Sequence, residues 1–117
     1  IQNELGTKFQ EKHYCRAIAT LLKKNNIFFK QEAPLTVLFE GNVLGKFQAD
    51  FIIEEKIILE IKTSNGISDD NIKQLIRYLD AANIKLGLIV NFRVRPLEIK
   101  RVVNKNISAI RGHQASA

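Results

Sequence analysis

Hydrophobic and polar positions alternate along the chain with different periods, and each period predicts an element. From Thr7 to about Asn25, Tyr14, Ile18, Leu21 and Leu22 recur at helical spacing among Lys8, Lys12, Arg16, Lys23 and Lys24, which predicts a helix ended by Asn25-Asn26. Ile27 to Phe39 is rich in aromatic and β-branched residues and reads as a strand. Pro34 lacks an N–H for a central ladder, so part of this run is expected at an edge or a bulge. A turn at Glu40-Gly41-Asn42 leads into a second strand, Val43 to Ile53, with Gly45 as a candidate bulge. Glu54-Glu55 turns the chain into a third strand, Lys56 to Thr63, which completes an antiparallel meander.

After a loop containing Gly66, Ser68 is suited to cap a helix, and Asp69 and Asp70 place negative charge in its first turn. Ile72, Leu75, Ile76 and Leu79 carry the apolar stripe of that helix to about Ala82. Lys85 to Phe92 is almost continuously apolar, the pattern of a strand covered on both faces. Leu97, Ile99 and Val103 alternate with Glu98, Lys100 and Val102, which predicts a strand, with a helix as the alternative. His113 to Ala117 reads as a frayed end. The order is helix, three strands, helix, strand and a basic element from about residue 93, so the fold class is α/β in one domain spanning residues 1–117.

Composition narrows the class. A chain of 117 residues that is 45% hydrophobic and 26% charged is ordinary for one globular domain, which excludes disordered and low-complexity classes. No apolar run approaches the ~20 residues of a membrane span, so no membrane association is expected. Cys15 is the only cysteine, so an internal disulfide and a cysteine-rich zinc site are both excluded. A reducing, cytoplasmic setting fits, although Ile1 in first place leaves open a trimmed start.

The net charge of +6 is unevenly spread. Through Phe92 there are 12 basic and 11 acidic residues; beyond it Arg93, Arg95, Lys100, Arg101, Lys105 and Arg111 face only Glu98. That asymmetry points to a polyanionic partner, with a solvated tail as the bland alternative.

Three acids break the pattern around them. Glu60 and Lys62 project from one side of the third strand, the side that also carries apolar Ile58. Ionic groups there are unfavourable unless they pair with each other or hold a cation. Asp50 lies among apolar residues late in the second strand, and counting from the Glu54-Glu55 turn sets it roughly level with Glu60. Two carboxylates so placed repel unless a divalent cation such as Mg²⁺ or Mn²⁺ lies between them, or unless Asp50 faces water. Glu11 continues the stripe of Tyr14 and Ile18 and is a candidate third ligand, or else a solvent-exposed acid near a helix start. Gln74 and Tyr78 lie about one turn apart on the second helix, where Gln74 either braces a ligand or holds a phosphate, or is a rim residue without function. His13 and His113 lack zinc-ligand spacing, Cys15 reads as a small buried hydrophobe, and Gly41, Gly66 and Gly87 are too scattered to cradle phosphate.

Asp50 followed, after nine residues, by Glu60-Ile61-Lys62 resembles the Asp…(Asp/Glu)-x-Lys signature of the PD-(D/E)XK nuclease superfamily. Leu5-Gly6-Thr7-Lys8-Phe9-Gln10-Glu11-Lys12-His13-Tyr14 resembles the opening of its GxxExxY branch. Leu44 to Asp50, Asn91-Phe92 and Leu97 to Arg101 are similar to other segments of that branch, so the resemblance spans about Asn3 to Val103. Lys8 stands where the second glycine is expected, and Ala49 where the signature has proline; neither change removes a ligand. The resemblance implies a restriction-endonuclease-like αβββαβ core, with a mixed central sheet flanked by helices.

It further implies Glu11, Asp50 and Glu60 as metal ligands, with Asp50, Glu60 and Lys62 as catalytic groups. Gln74 and Tyr78 match a Gln-x-x-x-Tyr pattern of some relatives, Gln74 as a catalytic-site residue and Tyr78 facing nucleic acid. The expected function is a nuclease, dependent on Mg²⁺ or Mn²⁺, that hydrolyses phosphodiester bonds, with DNA as the favoured substrate. Arg93, Arg95, Lys100 and Arg101 would contact backbone phosphates. A silent nucleic-acid-binding module of the same fold and a protein-interaction domain are the competing readings. A chain this short is small to enclose a duplex alone, which makes a homodimer plausible.

Overall fold

The computed structural model describes residues 4–107, with side chains from Gly6 onward. Leu5 in the opening motif, Arg111 and the expected frayed end at His113–Ala117 therefore lie outside the residues whose side chains are described. The elements are α1 (Glu4–Lys24), β1 (Phe29–Phe39), β2 (Asn42–Ile53), β3 (Ile57–Lys62), α2 (Asp69–Ala82), β4 (Leu86–Asn91) and β5 (Glu98–Val103). The strands form one sheet in the order β1-β2-β3-β4-β5. β1, β2 and β3 are the expected antiparallel meander, β3 and β4 run parallel, and β4 and β5 are antiparallel. A parallel pair needs a long crossover, and α2 supplies it.

The two helices cover opposite faces. Leu75, Tyr78 and Leu79 of α2 pack on Ala33, Leu35, Val37, Ala49, Ile58 and Ile89. Tyr14, Cys15, Ile18, Ala19 and Leu22 of α1 pack on Phe51, Leu59 and Ile61. Leu21, expected in the α1 stripe, is instead 57% exposed, because the buried arc runs through Cys15 and Ala19. α2 is held at its start by reciprocal bonds between Ser68 and Asn71, and its end is capped by Asn83 in the left-handed conformation. Gly87 lets α2 approach β4: a Cβ there would sit 2.8 Å from Leu75 Cδ2.

Several expectations shift. Pro34 lies in edge strand β1, but the bulge falls at Leu44, not Gly45, since Val37 pairs with Gly45 and Leu38 with Val43. β4 is fully buried only on the face of Gly87, Ile89 and Asn91; Leu86, Leu88 and Val90 are half-buried, because α1 lies over β3 and reaches less of β4. The last element is a strand, but its core residue is Val102, while Leu97 and Ile99 are 41% and 60% exposed. The expected apolar face of β5 is thus the outer one. No described helix is long and apolar enough to cross a membrane.

Candidate active site

The site forms where β2 and β3 separate. Counting from the Glu54-Glu55 turn, both of whose residues have positive φ, the strands pair at Ile53↔Ile57, Ile52↔Ile58 and Phe51↔Leu59. Beyond that point the ladder gives way to side chains. The Asp50 N–H donates to Glu60 Oε2 at 2.7 Å, and the Ile61 N–H donates to Asp50 Oδ2 at 2.8 Å. The two carboxylates thus replace the ladder bonds that the parting strands would leave unmade.

β1 contributes to the same irregularity. Phe29 and Phe51 face the core beneath α1, whereas Ala33 and Ala49 face the core beneath α2. Both strands therefore exchange faces near Glu32, whose φ is 52°, and Asp50. Glu32 lies between Gln31 and Ala33, which pair with Phe51 and Ala49, and so is level with Asp50. The Leu44 bulge makes it so; without that extra residue the count from the hairpin turn would set Gln31 there.

Glu11 reaches the site from α1. Its Oε2 accepts the Thr63 N–H at 3.2 Å, and the Thr63 hydroxyl donates to the Thr7 carbonyl at 3.2 Å, which fixes α1 to the end of β3. Glu60 is 7% exposed and behind the surface. Glu11, Glu32 and Asp50 line a groove of about 560 Å³ together with Lys8, Lys12 and Arg16.

The electrostatics reflect this crowding. Burial, then the Asp50 charge, pushes the Glu60 carboxyl up to about 8 with a smaller push from Glu11, against the pull of the Asp50 N–H and Lys62. Burial also raises Asp50, with Glu32 adding to it, and raises Glu11, with Asp50 adding to it. Lys62 lowers all three. It therefore serves the whole carboxylate group, and a plain Glu60–Lys62 pair does not describe its position. Cys15, expected to be buried, is half-buried, and burial together with Asp50, Glu11 and Glu60 pushes its thiol up to about 12, so it stays neutral and unreactive.

Other expected residues are placed differently. Tyr78, expected to face nucleic acid, is 5% exposed and packs near Phe47 with ring centroids 5.9 Å apart. Burial and the charges of Glu60 and Asp50 push its phenol up to about 12. Glu60 thus acts on Tyr78 of α2 while feeling Glu11 of α1, which locates the carboxylate pair in the sheet layer between the helices. Gln74 is half-buried on α2. Arg93, Arg95, Lys100 and Arg101 are all exposed; Lys100 and Arg101 point to opposite faces of β5.

Pattern reading missed Asn91. Fully buried, it accepts the Ser64 and Arg93 N–H groups on Oδ1 and donates from Nδ2 to the Ser64 carbonyl and Glu98 Oε1. Glu98 Oε1 also accepts the Ile67 N–H. This network clamps the loop that follows Lys62. The signal was an asparagine ending an otherwise apolar strand.

As placed, no three His, Cys, Asp or Glu side chains among the described residues are grouped to hold one metal ion. Each of the three carboxylates instead turns one oxygen to a backbone N–H.

A mixed five-stranded sheet between two helices, with acids and a lysine meeting where two strands part, defines a restriction-endonuclease-like α/β protein. Solved structures share this fold. An alkaline exonuclease from Laribacter hongkongensis superposes with a TM-score of 0.60 at 12% identity, over 99% of this chain and 68% of that one. The crystal structure of SSO0001 does so with a TM-score of 0.58 at 23% identity, over 79% of this chain; the match spans 48% of that protein's length. No curated protein matches the sequence. Residues 1–102 match the family described as the PD-(D/E)XK nuclease superfamily, and the chain belongs to that superfamily.

Proposed function

We propose that the protein is a nuclease that hydrolyses phosphodiester bonds in DNA with the help of a divalent cation, Mg²⁺ or Mn²⁺. The observation that carries this reading is the interlocked Asp50–Glu60 pair, largely buried and adjoining both Glu11 and Lys62. Burying like charges side by side is destabilising, and a fold without use for them would replace them with apolar residues. Their hard oxygen donors suit Mg²⁺, and Glu60, raised first by burial and then by the Asp50 charge, sits where a cation would offset both. The residues fit the ion in chemistry: Asp50 and Glu60 would hold it, with Glu11 as a third carboxylate. When bound, such an ion acidifies a water and polarises a phosphate oxygen.

The chain's own groups do the rest. Lys62, on the strand that carries Glu60, orients the attacking water and offsets charge building on the phosphate oxygens. Lys8, Lys12 and Arg16 on α1 attract the phosphate backbone to the groove and Arg93 and Arg95 steady it nearby. Gln74 braces the site from α2. Tyr78, being buried, supports the carboxylates from below without touching substrate.

The backbone bonds made by the three carboxylates favour a second reading, in which the same fold binds nucleic acid without cutting it. Incubating plasmid and single-stranded DNA with Mg²⁺ or Mn²⁺ separates the two. Cleavage by the wild type but not by Glu60→Ala or Lys62→Ala supports the nuclease. Binding by all three without cleavage under any metal supports the silent module.

A further inference from the structure

A second groove lies beside the carboxylates. It measures about 620 Å³ and is lined by Phe9, His13, Thr63, Phe92, Arg93 and Arg95, with Gln10 and Tyr14 completing it. None of these is acidic, whereas the first groove carries Glu11, Glu32 and Asp50. Its floor is rigid: Tyr14 stacks on Phe92 with ring centroids 4.3 Å apart and planes 11° from parallel. Arg95 is anchored at the rim, where Nη1 donates to the Phe92 and Val94 carbonyls. Thr63, whose N–H holds Glu11, lies in this groove, so the groove begins one residue beyond Lys62.

Phe9 belongs to both grooves and is 68% exposed. A large ring left in water on a basic helix gains nothing for the fold. Set between the groove that holds the carboxylates beside Lys8, Lys12 and Arg16 and the acid-free groove of Arg93 and Arg95, it has the placement of a platform for a nucleic-acid base. A base within a duplex hides its faces in the stack, so such a platform selects an unpaired one.

Building on the nuclease reading, we propose that the substrate is engaged as a single strand, with a base stacked on Phe9 and an adjacent phosphate held by Arg93 and Arg95 in the groove next to the carboxylates. His13, whose ring meets Tyr14 edge-on with centroids 5.7 Å apart, forms the outer wall of that groove.

The test is fluorescence anisotropy of the full chain with labelled oligo(dT) and with a duplex of equal length. EDTA is present throughout, so no cleavage is needed. Oligo(dT) should bind at least about tenfold more tightly than the duplex, and Phe9→Ala should weaken it about 5- to 100-fold while leaving the melting temperature unchanged. Phe9→Trp should keep the affinity, with indole emission quenched on binding. Replacing Arg93 and Arg95 together by alanine should lower the slope of log affinity against log salt by about 1.4. Equal or tighter binding of the duplex, or a Phe9→Ala chain within about twofold of the wild type, would overturn the proposal. Single-strand binding that passes these tests, in a wild type that no metal makes cleave, would instead refute the nuclease reading alone.

Discussion

Replacing Glu60 by glutamine should stabilise the fold at high pH while removing activity. Burial and the neighbouring Asp50 charge favour the protonated Glu60, so the folded chain keeps a proton that the unfolded chain gives up above 4.5. Stability is therefore fully present below 4.5 and is lost as pH rises toward about 8, the reverse of a salt-bridged acid. At about 1.4 kcal/mol per pH unit, the full shift corresponds to at most about 5 kcal/mol. Rotation of the side chain and entry of water relieve part of this, so a difference of about 2 kcal/mol is the working expectation. For a chain of this size that is roughly 8 °C in melting temperature.

Glutamine retains an oxygen to accept the Asp50 N–H, so the substitution removes charge and keeps the bond. In EDTA, denaturant unfolding of wild type and Glu60→Gln should coincide near pH 4 and diverge by about 2 kcal/mol near pH 9, the glutamine chain being the more stable. Millimolar Mg²⁺ should stabilise the wild type near pH 9 more than the variant, because the variant keeps the Asp50 and Glu11 carboxylates but has lost that of Glu60. A wild type whose stability does not fall between those pH values, or a variant no more stable at the upper one, would refute the argument.

Two further outcomes follow from the surrounding structure. Asn91→Ala leaves the Ser64 and Arg93 N–H groups and Glu98 short of a partner, and should destabilise the chain by about 3 kcal/mol in denaturant unfolding. It should also slow any metal-dependent cleavage, since the loop it clamps starts at Lys62; a loss under about 1 kcal/mol would contradict the network's role. Cys15, its thiol pushed up to about 12, should react with a disulfide reagent near pH 8 far more slowly in the folded chain than in denaturant, and equal rates would show that burial and the neighbouring acids do not hold it neutral.

Much of this protein is local in origin. The Ser68 cap, the Glu40-Gly41 and Glu54-Glu55 turns and the Leu75–Leu79 stripe each depend on residues a few positions apart, and each element they mark is present. Asp50, Glu60 and Lys62 were visible because charge stood where the surrounding period demanded apolar side chains. The turn between β2 and β3 takes in Lys56 as well as Glu54 and Glu55, and that third residue sets Asp50 level with Glu60; a turn of Glu54-Glu55 alone would have set it level with Leu59.

Other features depend on partners far away in the chain. Leu21 and the outer face of β5 were misassigned because periodicity gives a stripe's spacing but not which arc the sheet covers. Tyr78 is expected at the substrate from its resemblance to a Gln-x-x-x-Tyr pattern, yet it is buried, because such a pattern says nothing of depth. Glu32 carries no local anomaly, and the one at Asn91, an asparagine ending an apolar strand, does not say what it binds. The bulge at Leu44 sets Glu32 level with Asp50, and Asn91 finds its partners 27 residues away at Ser64. Period and turn chemistry act over a few residues and so are written in the chain. Depth, facing and the meeting of acids from α1, β1, β2 and β3 arise only when the sheet twists and the helices close over it, since those contacts join segments whose order along the chain does not constrain their distance in space.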